Sequence, residues 1–498
     1  MGVFEVIPIM KRRDFCKKTA LGGVWAVLPS FSVRSLAADS PGKFRDTQST
    51  NLSGETTVIP AKAIKDFTAS LRGRLVTMSH ADYDQARRLW NKTFDERPAL
   101  IAQCSGAADV AKSIQFARER DLLVAVRGGG HSYQGYSTCN GGLVIDLSSM
   151  RSVQIDPIAK RARADAGAWI GDVDRETQHY DLATPMGTAS NTGIAGLTLG
   201  GGYGRLSRQF GLACDNLISA DLITAGGKSL RASATDNPDL FWALRGGGGN
   251  FGVVTSFEYQ LHPVATQVFS GELTYAPDRL KSVLEYVADY AARAPRELSL
   301  GVGVMGDKPR DKYPVLFFCF AGDRRMAEKT LQSLRTETKP REDNVRGWEY
   351  VTLQSAFDGP PRAPFAEYLK SAFVDRLTPA LIEAIMAEQR SVGLGICGGA
   401  IADLAPSETA IANRRELFLL SIRAFWENPA DAEKERAEVE QIWARLQPFI
   451  TGFYANLTCA DQNAMRGNFG LNLPRLVQIK KQYDPHNFFR LNPNIRLA

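Results

Sequence analysis

The sequence VRGGGHSY, residues 126–133, places three consecutive glycines and one histidine between two short apolar runs. Because glycine lacks a side chain, this backbone can turn sharply and bring its N–H groups close to a ligand. Successive N–H groups in such a turn form an anion-binding concavity that suits a pyrophosphate. His131 would be held beside the bound group, where an imidazole can take part in its chemistry. A glycine-rich hairpin turn with a surface histidine is the alternative, since glycine motifs alone are weak signals.

Two more glycine clusters follow in the same half of the chain. Residues 192–204 are TGIAGLTLGGGYG, and residues 242–255 are WALRGGGGNFGVVT. Glycines at this density weaken packing, which favours close approach of a ligand to the backbone. A tight crossing of two backbones in the core is the alternative. Three clusters within one domain predict a single long ligand that lies across several loops.

The composition is that of an ordinary soluble globular protein. The chain has 498 residues, of which 44% are hydrophobic and 23% are charged. This length predicts two or three domains with large hydrophobic cores. The formal net charge is only +6, and most of it lies in residues 1–38. A nucleic-acid partner, which usually needs a basic face, is therefore not predicted.

The first residues are typical of an export signal. Residues 11–18 are KRRDFCKK, an apolar stretch covers 19–28, and small residues stand at 35–38. The arginine pair indicates the twin-arginine route to the periplasm or outside, with residues 1–38 removed. The apolar stretch is shorter than the about 20 residues that span a bilayer, so no membrane contact is expected after removal. An uncleaved basic amphipathic start is the alternative.

The spacing of the cysteines bears on metal binding. The six cysteines after residue 38 show no CxxC spacing, so no metal site is predicted, and disulfide pairing is not assigned.

Helical spacing predicts helices over 107–120, 169–180, 237–244, 278–292, 325–334 and 430–446. Hairpins are predicted at 152–166 and at 217–233. After Pro263, strands alternate with longer helices, which indicates a second α+β domain.

The order of the motifs resembles a known family. The three glycine clusters, GLACDNL at 211–217 and YDPHNFFRLNPNI at 483–495 are similar to the berberine-bridge-enzyme-like FAD-linked oxidases of the vanillyl-alcohol-oxidase superfamily. The resemblance covers roughly residues 70–498, and bacterial members include 6-hydroxynicotine-oxidase-like and oligosaccharide-oxidase-like enzymes. It implies an α+β fold, with a PCMH-type FAD-binding module of two subdomains and a substrate domain built on a large antiparallel sheet flanked by helices.

This resemblance also sets the expected domain limits. The polar, Ser- and Thr-rich composition of residues 39–65 predicts a linker. The resemblance then implies the FAD-binding domain over 66–263, the substrate-binding domain over 264–450, and a segment that returns to the FAD domain over 451–498. A Rossmann fold is not expected, because no G-x-G-x-x-G opens a helix within a βαβ unit.

The resemblance implies that His131 carries the 8α-methyl carbon of FAD through a covalent bond to a ring nitrogen. The alternative is that His131 only hydrogen-bonds the flavin. Some members add a second bond from a cysteine, but the matching position holds Ala189. Attachment through His131 alone is therefore expected, and it favours a smaller substrate over long oligosaccharides.

Further cofactor contacts are implied in the same way. The first loop would cradle the pyrophosphate, the second cluster would border the isoalloxazine or ribityl chain, and Val253 would meet the adenine or ring edge. The residues expected to contact FAD are Arg127, Gly128, Gly129, Gly130, Ser132, Gly187, Ser190, Gly193, Gly196, Gly201, Val253, Asn456 and Asn492. Simple turn geometry is the alternative for each of them.

The implied reaction is oxidation of a C–H bond that bears a hydroxyl or amine. A hydride passes to the flavin while a base takes the O–H or N–H proton, and O2 then reoxidises the flavin to give H2O2. Tyr454 is the main candidate for the base, with Tyr136 and Tyr203 weaker, and simple packing of Tyr454 is the alternative. Free tyrosine titrates near 10, so this role needs a lowered pKa or concerted transfer.

Several alternatives stay open at this stage. The position that gates oxygen in relatives holds Thr192 instead of valine or leucine, so a dehydrogenase with another acceptor remains an alternative. A flavin-binding protein without turnover and an enolpyruvyl-sugar reductase are the others. The partners expected are a small-molecule substrate and O2. Carbohydrate, amine and phenolic alcohol substrates are not distinguished, and neither is the oligomeric state.

Overall fold

The computed structural model describes residues 44–306, 311–356, 358, 366–457 and 467–497. The predicted export signal, residues 1–38, lies outside the described residues, as do Cys16 and Cys459. From Phe44 onward the described chain belongs to one structural unit.

Within its described part, residues 44–65, the predicted linker over 39–65 is wrong. The elements found there are β1 (Thr47–Thr50), β2 (Thr56–Ile59) and α1 (Ala61–Ser70). Strands β1 and β2 form an antiparallel hairpin. The Thr50 amide donates to the carbonyl of Gly141 at 2.8 Å, and the Thr50 carbonyl accepts from Leu123 at 2.9 Å. Threonine-rich segments suit strands when partner backbone is available, and here the body of the protein supplies it.

A four-stranded sheet carries the loop of the first glycine cluster. Its elements in chain order are β3 (Arg74–Thr77), α2 (Tyr83–Arg87), β4 (Leu100–Gln103), α3 (Ala107–Arg118), β5 (Val124–Arg127) and β6 (Leu143–Asp146). The strand order is β3-β4-β6-β5, with β6 parallel to both β4 and β5. Helix α3 makes the crossover that parallel strands require and buries Val110 and Ile114. The helix predicted over 107–120 is confirmed.

A five-stranded antiparallel sheet carries the other two glycine clusters. Its elements in chain order are β7 (Val153–Asp156), β8 (Arg161–Asp165), α4 (Ile170–Gln178), β9 (Leu182–Ala183), α5 (Ile194–Leu199), α6 (Ser207–Phe210), β10 (Leu217–Ile223), β11 (Ser229–Ser233), α7 (Pro238–Leu244), β12 (Val253–Gln260) and β13 (His262–Pro263). The order is β11-β10-β12-β8-β7, and β9 pairs with β13. Both predicted hairpins are confirmed. The two sheets share one hydrophobic core, which includes Ile145 and Phe257.

The remaining strands form a large antiparallel sheet. Its elements in chain order are β14 (Gln267–Thr274), α8 (Leu280–Tyr290), β15 (Leu298–Met305), β16 (Tyr313–Phe320), α9 (Arg324–Thr338), β17 (Glu342–Asp343), β18 (Arg346–Glu349), α10 (Tyr350–Ser355), β19 (Ala366–Val374), α11 (Pro379–Ala387), β20 (Val392–Ile396), β21 (Phe418–Trp426) and α12 (Ala432–Leu446). The order is β17-β14-β16-β15-β20-β21-β19, with β18 beside β14. Helices α8, α9, α11 and α12 bury their apolar residues against one face. The expected α+β fold with a large antiparallel sheet flanked by helices is confirmed.

The C-terminal segment closes back on the third glycine cluster. Helix α13 (Leu473–Tyr483) carries Lys480, whose side chain is fully buried. The Lys480 ammonium donates to the carbonyls of Asn250 at 2.8 Å and Phe489 at 2.9 Å, and pairs with Asp484 at 2.7 Å. A buried charge with this many partners ties the final residues to the loop at 246–252. The domain limits drawn from the sequence stay predictions.

Candidate functional site

The first two glycine clusters meet at one point. A β-carbon built on Gly129 would lie 2.5 Å from the α-carbon of Gly193, and one built on Gly193 would lie 2.5 Å from that of Gly129. No side chain fits between the two backbones, so both positions require glycine. At this pair, the crossing of two backbones that the sequence left as an alternative is what the structure shows. The crossing places the loop after β5 against the start of α5.

Other glycines of these loops differ in what surrounds them. Gly130 has a φ of +70°, a left-handed conformation that favours glycine. Gly128 approaches the side chain of Ala195, which a β-carbon would meet at 3.4 Å. No protein atom lies within 4 Å of a β-carbon built on Gly196. Crowding thus explains why positions 129 and 193 are glycine. Gly196 instead leaves a bare helix surface that a ligand can approach.

His131 is largely buried beside an indole. Its ring stacks on that of Trp90, with 4.9 Å between the centroids and 20° between the planes. Burial lowers the pKa of His131 to about 4, while a hydrogen bond with the Asn191 backbone and the charge of Asp358 act in the opposite sense. The imidazole is therefore neutral at physiological pH, which leaves a ring nitrogen with a lone pair that can form a covalent bond.

Arg127 supports the base of this loop. Its guanidinium pairs with the carboxylate of Asp146 at 2.6 Å, and both side chains are buried. The two residues stand opposite each other at the ends of the parallel strands β5 and β6. A buried pair of this kind holds the strand ends together before the loop begins. Contact between Arg127 and a cofactor stays a prediction.

The loop is also tied to the C-terminal segment. The Ser132 hydroxyl accepts from the amides of Gln134 at 3.3 Å and Tyr136 at 3.1 Å, which closes the turn after His131. The Gln134 side-chain amide then donates to the carbonyl of Ala455 at 2.7 Å. Ala455 follows Tyr454 directly, so this bond places the candidate base and the His131 loop in one region.

Tyr454 lies against the second glycine cluster. Its phenol oxygen accepts from the amides of Gly202 at 3.0 Å and Tyr203 at 3.1 Å, and from the side-chain amide of Asn456 at 3.0 Å. Burial raises the pKa of Tyr454, while the hydrogen bond from Asn456 and those from the two backbone amides lower it. The raised pKa keeps the phenol protonated at neutral pH, and the three donors would stabilise charge that develops on its oxygen.

The two weaker candidates for a base have other roles in the structure. The Tyr203 hydroxyl donates to the carbonyl of Ile396 at 2.5 Å, and burial raises its pKa well above the usual value. The Tyr136 backbone amide belongs to the Ser132 turn. The bond to Ile396 favours a structural role for the Tyr203 hydroxyl, whereas the Tyr136 contact involves only its backbone. Tyr454 remains the main candidate.

Hydrogen bonds from residues of the large sheet domain hold the segment before the second glycine cluster in place. The amide and hydroxyl of Ser190 both donate to the carboxylate of Asp358. The Gln354 side-chain amide donates to the carbonyl of Gly187 at 3.2 Å and to Asp174 at 3.1 Å. These bonds fix the loop that contains Ala189. Cys139 lies elsewhere, in a small cluster with Val76 and Tyr83.

Two asparagines leave oxygens that suit a ligand. Asn492 donates to the carbonyls of Gly249 at 3.2 Å and Phe489 at 2.9 Å, whereas its side-chain oxygen is buried without a hydrogen-bond partner. The side-chain oxygen of Asn191, beside His131, is also buried without a hydrogen-bond partner. Buried acceptors normally have a donor. A polar ligand such as FAD, which carries ribityl, ribose and adenine donors, fits both positions.

The remaining residues predicted to contact FAD include Asn456, Gly201 and Val253. Asn456 donates to the carbonyl of Leu197 at 2.9 Å, and a β-carbon on Gly200 would lie 2.6 Å from its side-chain carbon. Gly201 has a φ of +120° and packs near the Tyr454 ring. Val253 is buried at the start of β12. The structure gathers Asn456 and Gly201 around Tyr454 and places Val253 in the five-stranded sheet.

Three residues near His131 were missed from the sequence. Trp90 stacks on His131 and meets the Tyr133 ring edge-on, with 5.8 Å between the centroids. The buried carboxyl of Glu367 interacts with Tyr133 and pairs with Arg423 at 3.5 Å, and burial raises its pKa to about 7. Tyr133 lies in the first motif and could have been named, whereas Trp90 and Glu367 have no local sequence signal.

Within residues 44–306, 311–356, 358, 366–457 and 467–497, no group of three His, Cys, Asp or Glu residues is placed to hold a metal ion. In the same part of the chain, no helix has both the length and the apolar character needed to cross a membrane.

Comparison with known proteins decides the family. Residues 98–233 match the family of FAD-binding domains, and residues 453–496 match the family described as berberine and berberine like. The chain is 31% identical to (R)-6-hydroxynicotine oxidase of Paenarthrobacter nicotinovorans over 457 residues, which cover 86% of this chain and 97% of that enzyme. This chain belongs to the berberine-bridge-enzyme-like FAD-linked oxidoreductases. It is therefore an oxidoreductase with an FAD-binding domain.

Solved structures of the berberine-bridge-enzyme-like family share the fold. That of 6-hydroxy-D-nicotine oxidase from Arthrobacter nicotinovorans has a TM-score of 0.79 at 30% identity and covers 86% of this chain and 99% of that one. Glucooligosaccharide oxidase from Acremonium strictum has a TM-score of 0.79 at 24% identity and covers 88% and 99%. The second likeness concerns the fold alone.

Proposed function

We propose that this chain is an exported oxidase that removes a hydride from a C–H bond bearing a hydroxyl or amine group. FAD, when bound covalently to His131, supplies the hydride acceptor and passes the electrons to O2, which leaves as H2O2. The observation that carries the proposal is the neutral, largely buried imidazole of His131, with a pKa near 4, beside the crossing of two glycine loops.

The residues that would hold FAD come from three parts of the fold. The backbone of 128–132 would face the pyrophosphate, because its glycines expose N–H groups. The bare surface at Gly196 would border the flavin or ribityl chain. The unsatisfied oxygens of Asn191 and Asn492 would accept from ligand donors. Arg127 and Asn456 would keep the loops in place through their bonds to Asp146 and Leu197.

Names of relatives support oxidase chemistry and a histidyl bond. The relative from Paenarthrobacter nicotinovorans is a 6-hydroxynicotine oxidase. The structure from Acremonium strictum is described with a 6-S-cysteinyl, 8α-N1-histidyl FAD. In this chain Ala189 stands where the sequence alignment places that cysteine, so one bond through His131 is proposed.

Tyr454 is proposed to take the substrate proton. Its phenol oxygen accepts three hydrogen bonds, which would stabilise negative charge on that oxygen while the proton moves. Because burial raises its pKa, the resting phenol holds its own proton and would first have to release it to water. The phenolate would then take the substrate proton as the hydride leaves. A dehydrogenase that uses another acceptor is the second candidate, since Thr192 differs from the gating residues of relatives. A flavin-binding protein without turnover is the third.

The mass of the intact holoprotein tests covalent attachment. We expect a mass excess of one FAD that survives acid precipitation, and we expect His131→Ala to lose it while keeping the fold. His486→Ala, which removes an exposed histidine, is the matched control and should keep the bound flavin. Flavin that acid releases from the parent protein would contradict attachment at His131.

Two further measurements test turnover and export. Peroxide that appears in step with oxygen consumption during a screen of alcohols and amines would support an oxidase. Anaerobic bleaching of the flavin without later peroxide would favour a dehydrogenase. Replacement of Arg12 and Arg13 by lysine should retain the protein in the cytoplasmic fraction, and unchanged export of this variant would contradict the twin-arginine route.

A further inference from the structure

The large sheet carries four glycines at its centre, three of which are partly exposed. Strands β15 and β20 pair so that Gly301 stands opposite Gly395 and Gly303 opposite Gly393. These four residues, here called the glycine tract, occupy every second position on two adjacent central strands. Successive residues of a strand point to opposite faces, so the four lie on one face of the sheet.

This face is the one toward the glycine loops. The alternate residues Val302 and Leu394 belong to the core beneath the helices, which leaves the tract on the opposite face. A β-carbon built on Gly395 would lie 3.9 Å from the hydroxyl of Tyr203, a residue of the second glycine cluster. In the next strand, Leu419 stands opposite Gly395 and packs in one cluster with Tyr454. The tract therefore begins beside the candidate base.

The tract remains partly exposed although it lies in the middle of an eight-stranded sheet. Gly301, Gly393 and Gly395 are each partly accessible, and so is Ser421, which stands opposite Gly393. Their backbone groups pair with strands on both sides, so they offer no hydrogen bonds out of the sheet plane. The exposed surface is thus poor in hydrogen-bonding groups. Ser421 is a neighbouring hydroxyl, and the Phe317 side chain borders the surface beside Gly301 and Gly303.

We propose that the glycine tract is the floor of the substrate site and that the substrate carries a flat, unsaturated ring lying face-on against this backbone. This inference rests on the proposed function and assigns its substrate class. A sugar ring presents hydroxyls that need partners, and the tract supplies none above its plane. An aromatic ring needs none and gains from close contact with a smooth surface.

Gly301 and Gly395, which stand opposite each other, would then be selected for the absence of a methyl group. A β-carbon on Gly303 would meet the Phe317 ring at 3.0 Å, and one on Gly393 would meet the Ser421 hydroxyl at 2.7 Å, so crowding accounts for these two glycines. Gly301 and Gly395 do not have positive φ, and their built β-carbons meet other atoms only at 3.6 Å or beyond. Alanine therefore fits both positions without strain, and glycine in a strand interior otherwise weakens the sheet. Space above the sheet, and not crowding within the protein, explains why these positions carry no side chain.

Calorimetric titration of the holoprotein with benzyl alcohol and with cyclohexylmethanol tests the ring. The two alcohols have similar size, but only the first is flat. We expect benzyl alcohol to bind at least about tenfold more tightly and to perturb the visible spectrum of the flavin. Equal binding of the two alcohols, or binding of cellobiose in preference to both, would overturn the inference.

Single alanine variants test the floor. Gly301→Ala and Gly395→Ala should keep the melting temperature and the bound flavin of the parent, yet weaken benzyl alcohol binding by about tenfold. Gly347→Ala, in strand β18 of the same sheet, is the matched control and should change nothing. Parental affinity in both tract variants would overturn the proposal. Absence of flavin would contradict the proposed function instead, and the calorimetric comparison would still test the ring.

Discussion

Gly129 and Gly193 cross with no room for a β-carbon on either residue. The crossing joins the loop that carries His131 to the start of helix α5, which leads into the cluster packed on Tyr454. Two loops far apart in the chain thereby define one site through a contact between bare backbones. Any side chain at either position would push the attachment loop away from the other glycine loop.

Gly193→Ala is expected to destabilise the fold strongly. The added methyl would overlap the backbone of Gly129, which cannot move away without breaking the loop. We expect a loss of about 3 kcal/mol or more in the free energy of unfolding, measured by denaturant titration. Gly226→Ala, in a surface hairpin turn with ordinary contacts, is the control. Near-parental stability of Gly193→Ala would show that the crossing is not tight.

Gly196→Ala should separate folding from cofactor binding. No protein atom lies within 4 Å of the new methyl, and alanine in a helix is favoured over glycine by roughly 0.5–1 kcal/mol. We therefore expect an unchanged or raised melting temperature, together with a lower ratio of flavin to protein absorbance. Gly106→Ala, at the N-cap of α3 and also in open space, should keep the flavin ratio of the parent, although alanine is a poorer N-cap residue than glycine. Full flavin content in Gly196→Ala would place the cofactor elsewhere.

Tyr454→Phe should slow substrate oxidation more than it lowers flavin content. Loss of the oxygen leaves the amides of Gly202 and Tyr203 without this acceptor, at a cost of about 1–3 kcal/mol each. Loss of a base would lower the anaerobic rate of flavin reduction by roughly 10²–10⁴. Tyr203→Phe, which removes the donor to Ile396, should cost stability alone. A parental rate in Tyr454→Phe would exclude it as the base.

Asp174→Asn should remove a pH dependence of stability. Asp174 is fully buried in α4, and burial raises its pKa from 3.8 to about 7, against the hydrogen bond from Gln354 and the charge of Arg205. Between these two pKa values the folded protein binds more protons than the unfolded chain. The free energy of unfolding therefore falls by about 1.4 kcal/mol per pH unit as pH rises through this window, and it levels off above pH 7.

Denaturant unfolding at several pH values checks this expectation. The stability of Asp174→Asn relative to the parent should increase from about pH 4 to about pH 7 and then stay constant. Asp289→Asn, on the exposed face of α8, is the control and should run parallel to the parent. A constant difference between Asp174→Asn and the parent across this range would show that Asp174 titrates normally.

The order of the motifs was enough to predict the family and the α+β fold. Glycine clusters at fixed places can be recognised from local residue identity alone. The helices over 107–120 and 430–446 were likewise predictable, because an apolar period of 3.6 is a local property of the chain. Their observed bounds, Ala107–Arg118 and Ala432–Leu446, differ by only two residues at one end each.

Other features depend on contacts between distant segments. The hairpin within 39–65 forms because Thr50 finds backbone partners in the body of the protein, which a Ser- and Thr-rich composition does not reveal. The stacking of Trp90 on His131, and the influence of the Glu367 charge on Tyr133, both join segments that are far apart in the chain. The pKa values of His131 and Glu367 arise from the same burial.

The sequence by itself determined the chemistry that the chain can offer: a histidine in a bare loop, glycine clusters for a long ligand, and a family with an FAD-binding domain. Only the tertiary structure decided which glycines crowd each other and which leave space. Gly193 and Gly395 are the same residue type, yet one touches another backbone and the other faces a partly open sheet surface. That difference comes from register and packing, which no single segment encodes.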